Sequence, residues 1–294
     1  MASSEVQTFY EAGTEVGKAG IWDPQTGNYY YVDILKMLLH VLHVPTLKRT
    51  DYNVGTMVGA MALSKNGKGL VMAVEDGFGF WDLKEHKFRL LASPYGVNTG
   101  WRMNDGACDS KGRFWAGRLF KTDETKPGEV YRLETDGVTA KLMIEDICCT
   151  NGVLWSPDNK RLYISDSTVK KIFLWDFDEE SGTPTNRRVF LDTGEKFEGK
   201  PDGANIDSEG YLWVCFFDGN KLVRFTPEAK VDQIIVLPVK RPTQPVWYGE
   251  NLDELLVTTA YLDVDKNEFP QSGDILWLQT DAQGHLRAKY QFDA

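Results

Sequence analysis

The chain has 294 residues, of which 42% are hydrophobic and 26% charged, a composition that predicts a globular protein with a large core rather than a disordered one. Its net charge of -10, without any dense run of Lys and Arg, disfavours nucleic acid and anionic membranes as partners. No apolar run is long enough to span a bilayer, and the first residues lack the pattern of a secretory signal, so we expect a cytoplasmic protein.

Six segments of the chain repeat one pattern: a small residue, an apolar stretch, a polar turn and a β-rich run. Their aligned first positions are separated by 40, 47, 46, 51 and 42 residues; they are Lys18, Val58, Asp105, Asn151, Asp202 and Gln244. Repeats of about 40–50 residues built from short strands and tight turns are typical of propeller blades. We therefore predict an all-β fold, a six-bladed β-propeller with four-stranded antiparallel blades that occupies residues 1–294 as a single domain.

The local signals within each repeat also favour strands and turns. Glycine closes the turns 65–67, 110–112 and 208–210, where a positive φ is needed, and runs such as 29–32 and 212–214 are rich in aromatic and β-branched residues. No window shows the periodicity of an amphipathic helix. The four cysteines form no CxxC pair, which predicts reduced, mostly buried thiols.

In a propeller, equivalent positions of the innermost strands form a ring around the central tunnel. Three consecutive repeats place a polar side chain before glycine at this position, in Asp105, Asn151 and Asp202, and Asn104 adds a second polar group. One interpretation is a set of ordinary polar turns. The repeated register favours the other interpretation, a binding site for a ligand or a cation on the axis.

Several motifs resemble those of one family, the senescence-marker-protein, gluconolactonase and luciferin-regenerating-enzyme propellers. The resemblance runs from about residue 13 to residue 280, and its motifs are Arg102-Met103-Asn104-Asp105-Gly106, Thr150-Asn151-Gly152, Trp155-Ser156-Pro157-Asp158 and Pro201-Asp202-Gly203. It implies a tunnel that holds one divalent cation, such as calcium, zinc, magnesium or iron. It also implies an enzyme that hydrolyses sugar lactones. Asn151 and Asp202 match two of the metal ligands of the family, and Arg102 and Asn104 match its substrate contacts.

This chain departs from the family pattern at the position of the first metal ligand. Where the resemblance implies Gly-Glu-Gly-Pro, this chain has Gly17-Lys18-Ala19-Gly20, so an ammonium replaces a carboxylate. Hard cations need anionic oxygen ligands, and a neighbouring positive charge repels them. We therefore expect a metal-free tunnel with no cofactor, in which Lys18 donates hydrogen bonds to Asp202 and Asn151. The alternative is that Lys18 extends to solvent and a divalent cation still binds Asn151 and Asp202.

Three functions remain open from the sequence. The first is a repurposed, metal-independent enzyme, with Lys18, Arg102 and Asp202 as catalytic residues, that polarises a carbonyl or phenolate oxygen, for example in ring closure or cycloaddition in secondary metabolism. A lowered pKa would also make Lys18 an acid, a base or a Schiff-base nucleophile. The second is a metal-dependent lactonase, and the third is a non-catalytic binder of a small ligand.

The remaining predictions concern the walls of the pocket and the partners. Beside the catalytic residues, we predict substrate contacts from Asn104, Asn151, Arg118, Trp101, Phe120 and Tyr261, because substrate pockets combine apolar walls with a few polar groups. The expected partner is a small-molecule substrate, and the expected state is a monomer or a weak homodimer.

Overall fold

The computed structural model describes residues 5–292 and has the predicted architecture. Six four-stranded antiparallel sheets form six blades, and the helical structure within residues 5–292 is a three-residue 3-10 turn, Val44–Thr46. In this part of the chain, no helix has the length and apolar character needed to cross a membrane.

The strands follow one another blade by blade, from the innermost strand outward. The first two blades contain β2 (Gly17–Asp23), β3 (Asn28–Asp33), β4 (Leu38–His43), β5 (Lys48–Asn53), β6 (Val58–Leu63), β7 (Gly69–Val74), β8 (Gly77–Asp82) and β9 (Lys87–Ala92). The third and fourth contain β10 (Trp101–Cys108), β11 (Phe114–Phe120), β12 (Gly128–Leu133), β13 (Ala140–Ile147), β14 (Thr150–Trp155), β15 (Arg161–Asp166), β16 (Lys171–Asp178) and β17 (Thr183–Asp192). The fifth contains β18 (Lys200–Ile206), β19 (Leu212–Phe217), β20 (Lys221–Phe225) and β21 (Val231–Val236).

The sixth blade joins the two ends of the chain. Its order from the axis is β22 (Arg241–Tyr248), β23 (Glu254–Ala260), β24 (Ile275–Gln279) and then β1 (Val6–Tyr10), which pairs with β24. An N-terminal strand thus completes a blade made of C-terminal strands. This pairing closes the ring and covers the edge that β24 would otherwise expose.

Burial falls from the axis to the rim. Every residue of the inner strands β6 and β14 is buried, whereas each residue of the outermost strand of the first blade, β5, is exposed or half-buried. Inner strands lie between neighbouring blades, and so both of their faces must be covered. Fully buried indoles fill the space between blades; Trp213 and Trp247, for example, pack edge to face with their ring centroids 5.6 Å apart.

An irregularity recurs where each inner strand passes the axis. The pairing between the first and second strands of a blade shifts at this point in all six blades, next to Lys18, Val58, Asp105, Asn151, Pro201 and Pro242. A bulge of this kind frees a residue from the ladder and turns its side chain. The repeat found in the sequence therefore corresponds to a structural device that presents side chains to the tunnel.

The segment after β24 covers the far end of the tunnel. Tyr290 is fully buried, its backbone N–H donates to Leu63 O at 2.8 Å, and its hydroxyl donates to Glu134 O at 2.6 Å. Arg287, in the same segment, lines a small cavity of about 140 Å³ at that end. Arg287 also lines a second cavity of about 460 Å³ at that end, and the cavity where the inner strands begin is larger, at about 560 Å³.

Candidate functional site

A cavity of about 560 Å³ occupies the end of the tunnel at which the inner strands begin. Its walls combine charged, amide and apolar side chains from all six blades, and among them are Val16, Lys18, Ile34, Met57, Arg102, Asn104, Leu119, Asn151, Ser167, Lys200, Asp202 and Arg241. Apolar walls with a few convergent polar groups are typical of small-molecule sites.

The ammonium of Lys18 lies at the floor of this cavity. Lys18 is only 3% exposed, and its Nζ donates hydrogen bonds to Asn151 Oδ1 and Asp202 Oδ1. Asp105 Oδ2 lies farther off, at 3.8 Å from Nζ. An ammonium has three N–H donors, and these two acceptors use two of them. No other residue in the range 5–292 accepts from Nζ, so one donor remains for a molecule in the cavity.

Asp105 supports this arrangement from below the ammonium. Its Oδ1 accepts from the backbone N–H of Gly106 at 2.7 Å, and its Oδ2 accepts from that of Gly152 at 2.9 Å. A Cβ at position 106 would lie 2.2 Å from Trp115 O, so only glycine fits there. Asp105 therefore acts as a fixed link between the third and fourth blades and adds negative charge near Lys18.

A chain of amide hydrogen bonds runs from the third blade to the fourth. Arg102 Nη1 donates to Asn104 Oδ1 at 2.8 Å, and Asn104 Nδ2 donates to Thr150 O at 2.8 Å and to Asn151 Oδ1 at 3.2 Å. Asn151 Nδ2 in turn donates to Ser167 Oγ at 2.8 Å. These contacts settle the orientation of both amides, because the oxygen of each accepts from a cation or an amide N–H.

Carboxylates determine the protonation state of Lys18. Burial by itself lowers the pKa of Lys18, but the charges of Asp202 and Asp105 raise it above its ordinary value. Burial raises the pKa of the Asp202 carboxyl, and the contact with Lys18 offsets part of that rise. Lys18 is thus a cation at neutral pH. The lowered pKa considered from the sequence, which a base or a Schiff-base nucleophile would need, is wrong.

With Lys18 in this position, the donor set of the tunnel does not fit a divalent cation. The two oxygens that the resemblance assigns to a metal, Asn151 Oδ1 and Asp202 Oδ1, both accept hydrogen bonds from Lys18. Within residues 5–292, no group of three or more His, Cys, Asp or Glu side chains is arranged to hold a metal ion. While Lys18 donates to both oxygens, they face an ammonium, and its positive charge repels a divalent cation.

Five of the residues predicted from the sequence meet in the cavity, and four lie beside it. Lys18, Arg102, Asn104, Asn151 and Asp202 line it together. The other four, Arg118, Trp101, Phe120 and Tyr261, are not part of its lining.

Those four residues make contacts of their own. The Arg118 guanidinium pairs with Glu129 and lies 4.0 Å from the Trp101 ring centroid, and Trp101 packs edge to face on Phe120. Tyr261 packs against two lysine ammoniums. Their proposed contact with a substrate therefore requires a ligand that extends beyond the cavity.

Sequence reasoning missed several lining residues that come from loops or from strand starts. Lys200 and Arg241 begin β18 and β22, two and three residues before the ring positions Asp202 and Gln244. Arg102 likewise lies three residues before the ring position Asp105. A comparison of the residues that precede each ring position would therefore have identified Lys200 and Arg241 as well. Ser167 directly follows Asp166 at the end of β15, as the lining residue Ile34 follows Asp33 at the end of β3, so a comparison of these strand ends would have found it. Glu124 lies in a connection, and no sequence signal marks it.

A six-bladed propeller with a cavity of charged, amide and apolar side chains on its axis defines the class of this protein. The chain belongs to the SMP-30/Gluconolactonase/LRE-like family, whose model matches residues 16–261. It is 31% identical to a regucalcin of Xenopus laevis, with 94% of each chain covered, and 29% identical to a 6-deoxy-6-sulfogluconolactonase of Pseudomonas putida, with 92% of each covered. Among solved structures it is similar to a luciferin-regenerating enzyme, with a TM-score of 0.90 at 25% identity, over 98% of this chain and 99% of the other.

Proposed function

We propose that this protein is a small-molecule enzyme that polarises a carbonyl or phenolate oxygen with the ammonium of Lys18, without a metal ion. The observation that carries the proposal is the pair of hydrogen bonds from Lys18 Nζ to Asn151 Oδ1 and Asp202 Oδ1. They hold a buried positive charge at the floor of a cavity large enough for a small molecule. A fixed charge in a water-poor site stabilises an oxygen that becomes negative in the transition state.

The remaining donor of Lys18 defines the position of the reacting oxygen. An oxygen that accepts from this third N–H lies at the floor of the cavity, next to the carboxylate of Asp202. Only Oδ1 of Asp202 is bonded to Lys18, and no residue in the described part of the chain donates to Oδ2. Asp202 Oδ2 is thus free to accept a proton, and burial, which raises the pKa of this carboxyl, makes it a better base.

Lactone hydrolysis is the first reaction to test, because the family includes a lactonase among the relatives of this chain. Water attacks the carbonyl carbon, Asp202 Oδ2 accepts a proton from that water, and Lys18 stabilises the negative charge on the carbonyl oxygen. The ring C–O bond then breaks, and the proton on Asp202 passes to the leaving oxygen. The product is the hydroxy acid, and Asp202 returns to its initial state.

The same polarisation would also serve reactions without water. Ring closure or cycloaddition of a reactive enone or quinone methide, as in secondary metabolism, needs an orienting pocket and a donor on the carbonyl oxygen. The cavity supplies both, with apolar walls such as Ile34, Met57 and Leu119 around the donor.

The test compares turnover of a panel of γ- and δ-lactones by wild type and Lys18→Met, with chelator and with added divalent ions. We expect wild-type hydrolysis to persist in chelator, and Lys18→Met to lower kcat/KM by about 100-fold or more, the loss typical of removing one oxyanion donor. Lys171→Met, at an exposed ion pair on β16, is the matched control. Should turnover need an added ion and survive in Lys18→Met, the metal-independent proposal fails.

That outcome would favour a second candidate, a metal-dependent lactonase. One feature of the site supports it: the oxygens of Asn151, Asp202 and Asp105 all lie within 3.8 Å of Lys18 Nζ. Rotation of the lysine away from the axis would leave these oxygens facing one another. Metal analysis of the purified wild-type protein separates the two candidates, since a stoichiometric ion is expected only for the second.

A further inference from the structure

We infer that the substrate of this cavity carries a permanent negative charge, of the carboxylate type, which binds to Arg102. The inference rests on the proposed function, because it names the substrate class of the same cavity. It starts from a charge that the protein itself leaves without a counter-ion.

Four of the five cations that line the cavity contact a carboxylate. Lys18 contacts Asp202, Lys121 contacts Glu75, Lys200 lies 3.4 Å from Glu124, and Arg241 lies 2.6 Å from Asp218. Arg102 is the exception: no carboxylate oxygen within residues 5–292 lies within 4 Å of its guanidinium. Its position in the wall makes this an unpaired positive charge facing the cavity.

The hydrogen bonds of Arg102 leave one edge of the guanidinium free. Nη1 donates to Met103 O at 3.1 Å and to Asn104 Oδ1 at 2.8 Å. Nε and Nη2 donate to no residue in the described part of the chain. These two nitrogens form the parallel pair of donors that a carboxylate or sulfonate accepts with both oxygens. The contacts of Nη1 hold the plane of the group, so the free edge is held in place before a ligand arrives.

Burial of the Arg102 guanidinium destabilises the folded protein when no ligand is bound. The protein around Arg102 lowers its pKa by removing water from the guanidinium, although the group stays charged at any pH the protein tolerates. A partly desolvated charge without a partner destabilises a protein, and an anion from solution removes that cost. A neutral ligand oxygen would accept a hydrogen bond from this edge but would not neutralise it.

Arg102 is also coupled to the catalytic group by a short chain of contacts. Asn104 accepts from Arg102 and donates to Asn151 Oδ1, which accepts from Lys18. A bound molecule is therefore recognised at two points held by one network: an anionic group at Arg102 and a reacting oxygen at Lys18. This arrangement defines a class of substrate, a lactone or other activated carbonyl compound with an acidic group elsewhere on its skeleton.

The experiment uses two probes that differ in charge, 3-oxocyclopentane-1-carboxylate and its methyl ester, in which a ring ketone replaces the lactone so that the protein has no ring ester bond to hydrolyse. Their binding is measured by calorimetry and by the shift in melting temperature for wild type, Arg102→Gln and Arg102→Lys. Arg188→Gln, at an exposed ion pair on the outer strand β17, is the matched control. One cooperative melting transition in each ligand-free variant, at or above the wild-type temperature for Arg102→Gln, confirms that the variants fold.

We expect wild type and Arg188→Gln to bind the carboxylate about tenfold or more tightly than the ester, the effect of one charge-assisted pair. Arg102→Gln should lose that preference, and Arg102→Lys should keep only part of it, because an ammonium lacks the paired donors. Equal binding of both probes by wild type, binding of neither at millimolar concentration, or an unchanged preference in Arg102→Gln would overturn the inference.

Failure here is distinguishable from failure of the proposed function. The anion preference is read from binding alone, whereas the role of Lys18 is read from turnover. If Lys18→Met keeps full turnover while Arg102→Gln loses the anion preference, the metal-independent chemistry is wrong and the anion site stands.

Discussion

The side-chain amide of Asn104 donates to Asn151 Oδ1 at 3.2 Å, the same oxygen that accepts from the Lys18 ammonium. One amide of the third blade thus orients an amide of the fourth, and both meet a cation from the first. Asp202, from the fifth blade, completes the contact. Because the four residues come from four blades, their mutual positions depend on closure of the whole ring, and the site forms only in the complete propeller.

The first prediction concerns the ion preference of the tunnel. Lys18→Glu replaces the cation with a carboxylate beside Asp202 and Asn151, so the oxygens that accept from Lys18 become available to a hard cation. We expect this variant to bind one divalent ion per chain and to melt at a higher temperature when calcium or manganese is added. Elemental analysis and thermal melting with increasing ion concentration measure this.

Lys18→Gln is the control for that prediction, because it removes the positive charge without adding a ligand charge. It should bind divalent ions more weakly than Lys18→Glu. Equal ion binding by wild type, Lys18→Gln and Lys18→Glu would show that position 18 does not control the metal.

The second prediction concerns the stability contributed by the Lys18–Asp202 pair. Lys18→Met leaves a buried carboxylate without its counter-ion, and we expect the free energy of unfolding to fall by about 3–5 kcal/mol. Lys18→Met combined with Asp202→Asn removes both charges and should be less destabilised than Lys18→Met alone. Urea unfolding of the two single variants and the double variant gives the coupling energy, and strictly additive effects would contradict a direct ion pair.

The third prediction concerns pH and His40, which is 3% exposed and stacks on Tyr31. Burial lowers the pKa of His40 below its ordinary 6.5, although Asp51 Oδ1 lies 2.8 Å from Nδ1 and opposes the shift; Arg49 and Asp33 also act on the ring. The unfolded chain therefore takes up a proton near pH 6.5 that folded His40 takes up only at lower pH. The stability contributed by His40 is complete above pH 6.5 and is lost as the pH falls through the folded pKa.

Urea unfolding between pH 7.5 and pH 5 measures this effect, with a limiting slope of about 1.4 kcal/mol per pH unit for one group. His40→Gln should show a smaller loss of stability over this range than wild type. His43→Gln, at the end of the same strand, serves as the comparison, and identical pH profiles for wild type and His40→Gln would count against the prediction.

The fourth prediction concerns the C-terminal segment. Tyr290 is fully buried among the second and third blades and donates to Glu134 O. Tyr290→Ala should lower the free energy of unfolding by about 3–5 kcal/mol, as for other large aromatic truncations. Tyr290→Phe should cost about 1 kcal/mol, because it removes only the hydroxyl hydrogen bond. Chemical unfolding measures both, and equal losses in the two variants would mean that packing of the ring contributes nothing.

The fold could be predicted from the sequence because each blade carries the same alternation of apolar strands and polar turns at nearly constant spacing. The same alignment placed Lys18, Asp105, Asn151 and Asp202 on the axis, and the structure has them within reach of one another. Closure of the sixth blade by β1 had no such signal, since it joins residues more than 260 positions apart.

The sequence by itself determined the blade architecture, the ring of polar positions and the presence of a lysine at the ring position of the first blade. The sequence predicted that Lys18 donates to Asp202 and Asn151 but left its extension to solvent open. Only the tertiary structure decided between these two and placed Arg102 without a carboxylate partner among residues 5–292. Charge pairing depends on distances between side chains of different blades, and the pKa of a buried group depends on every charge around it. The spacing of residues along the chain determines neither these distances nor the pKa, because both depend on how the closed ring brings the blades together.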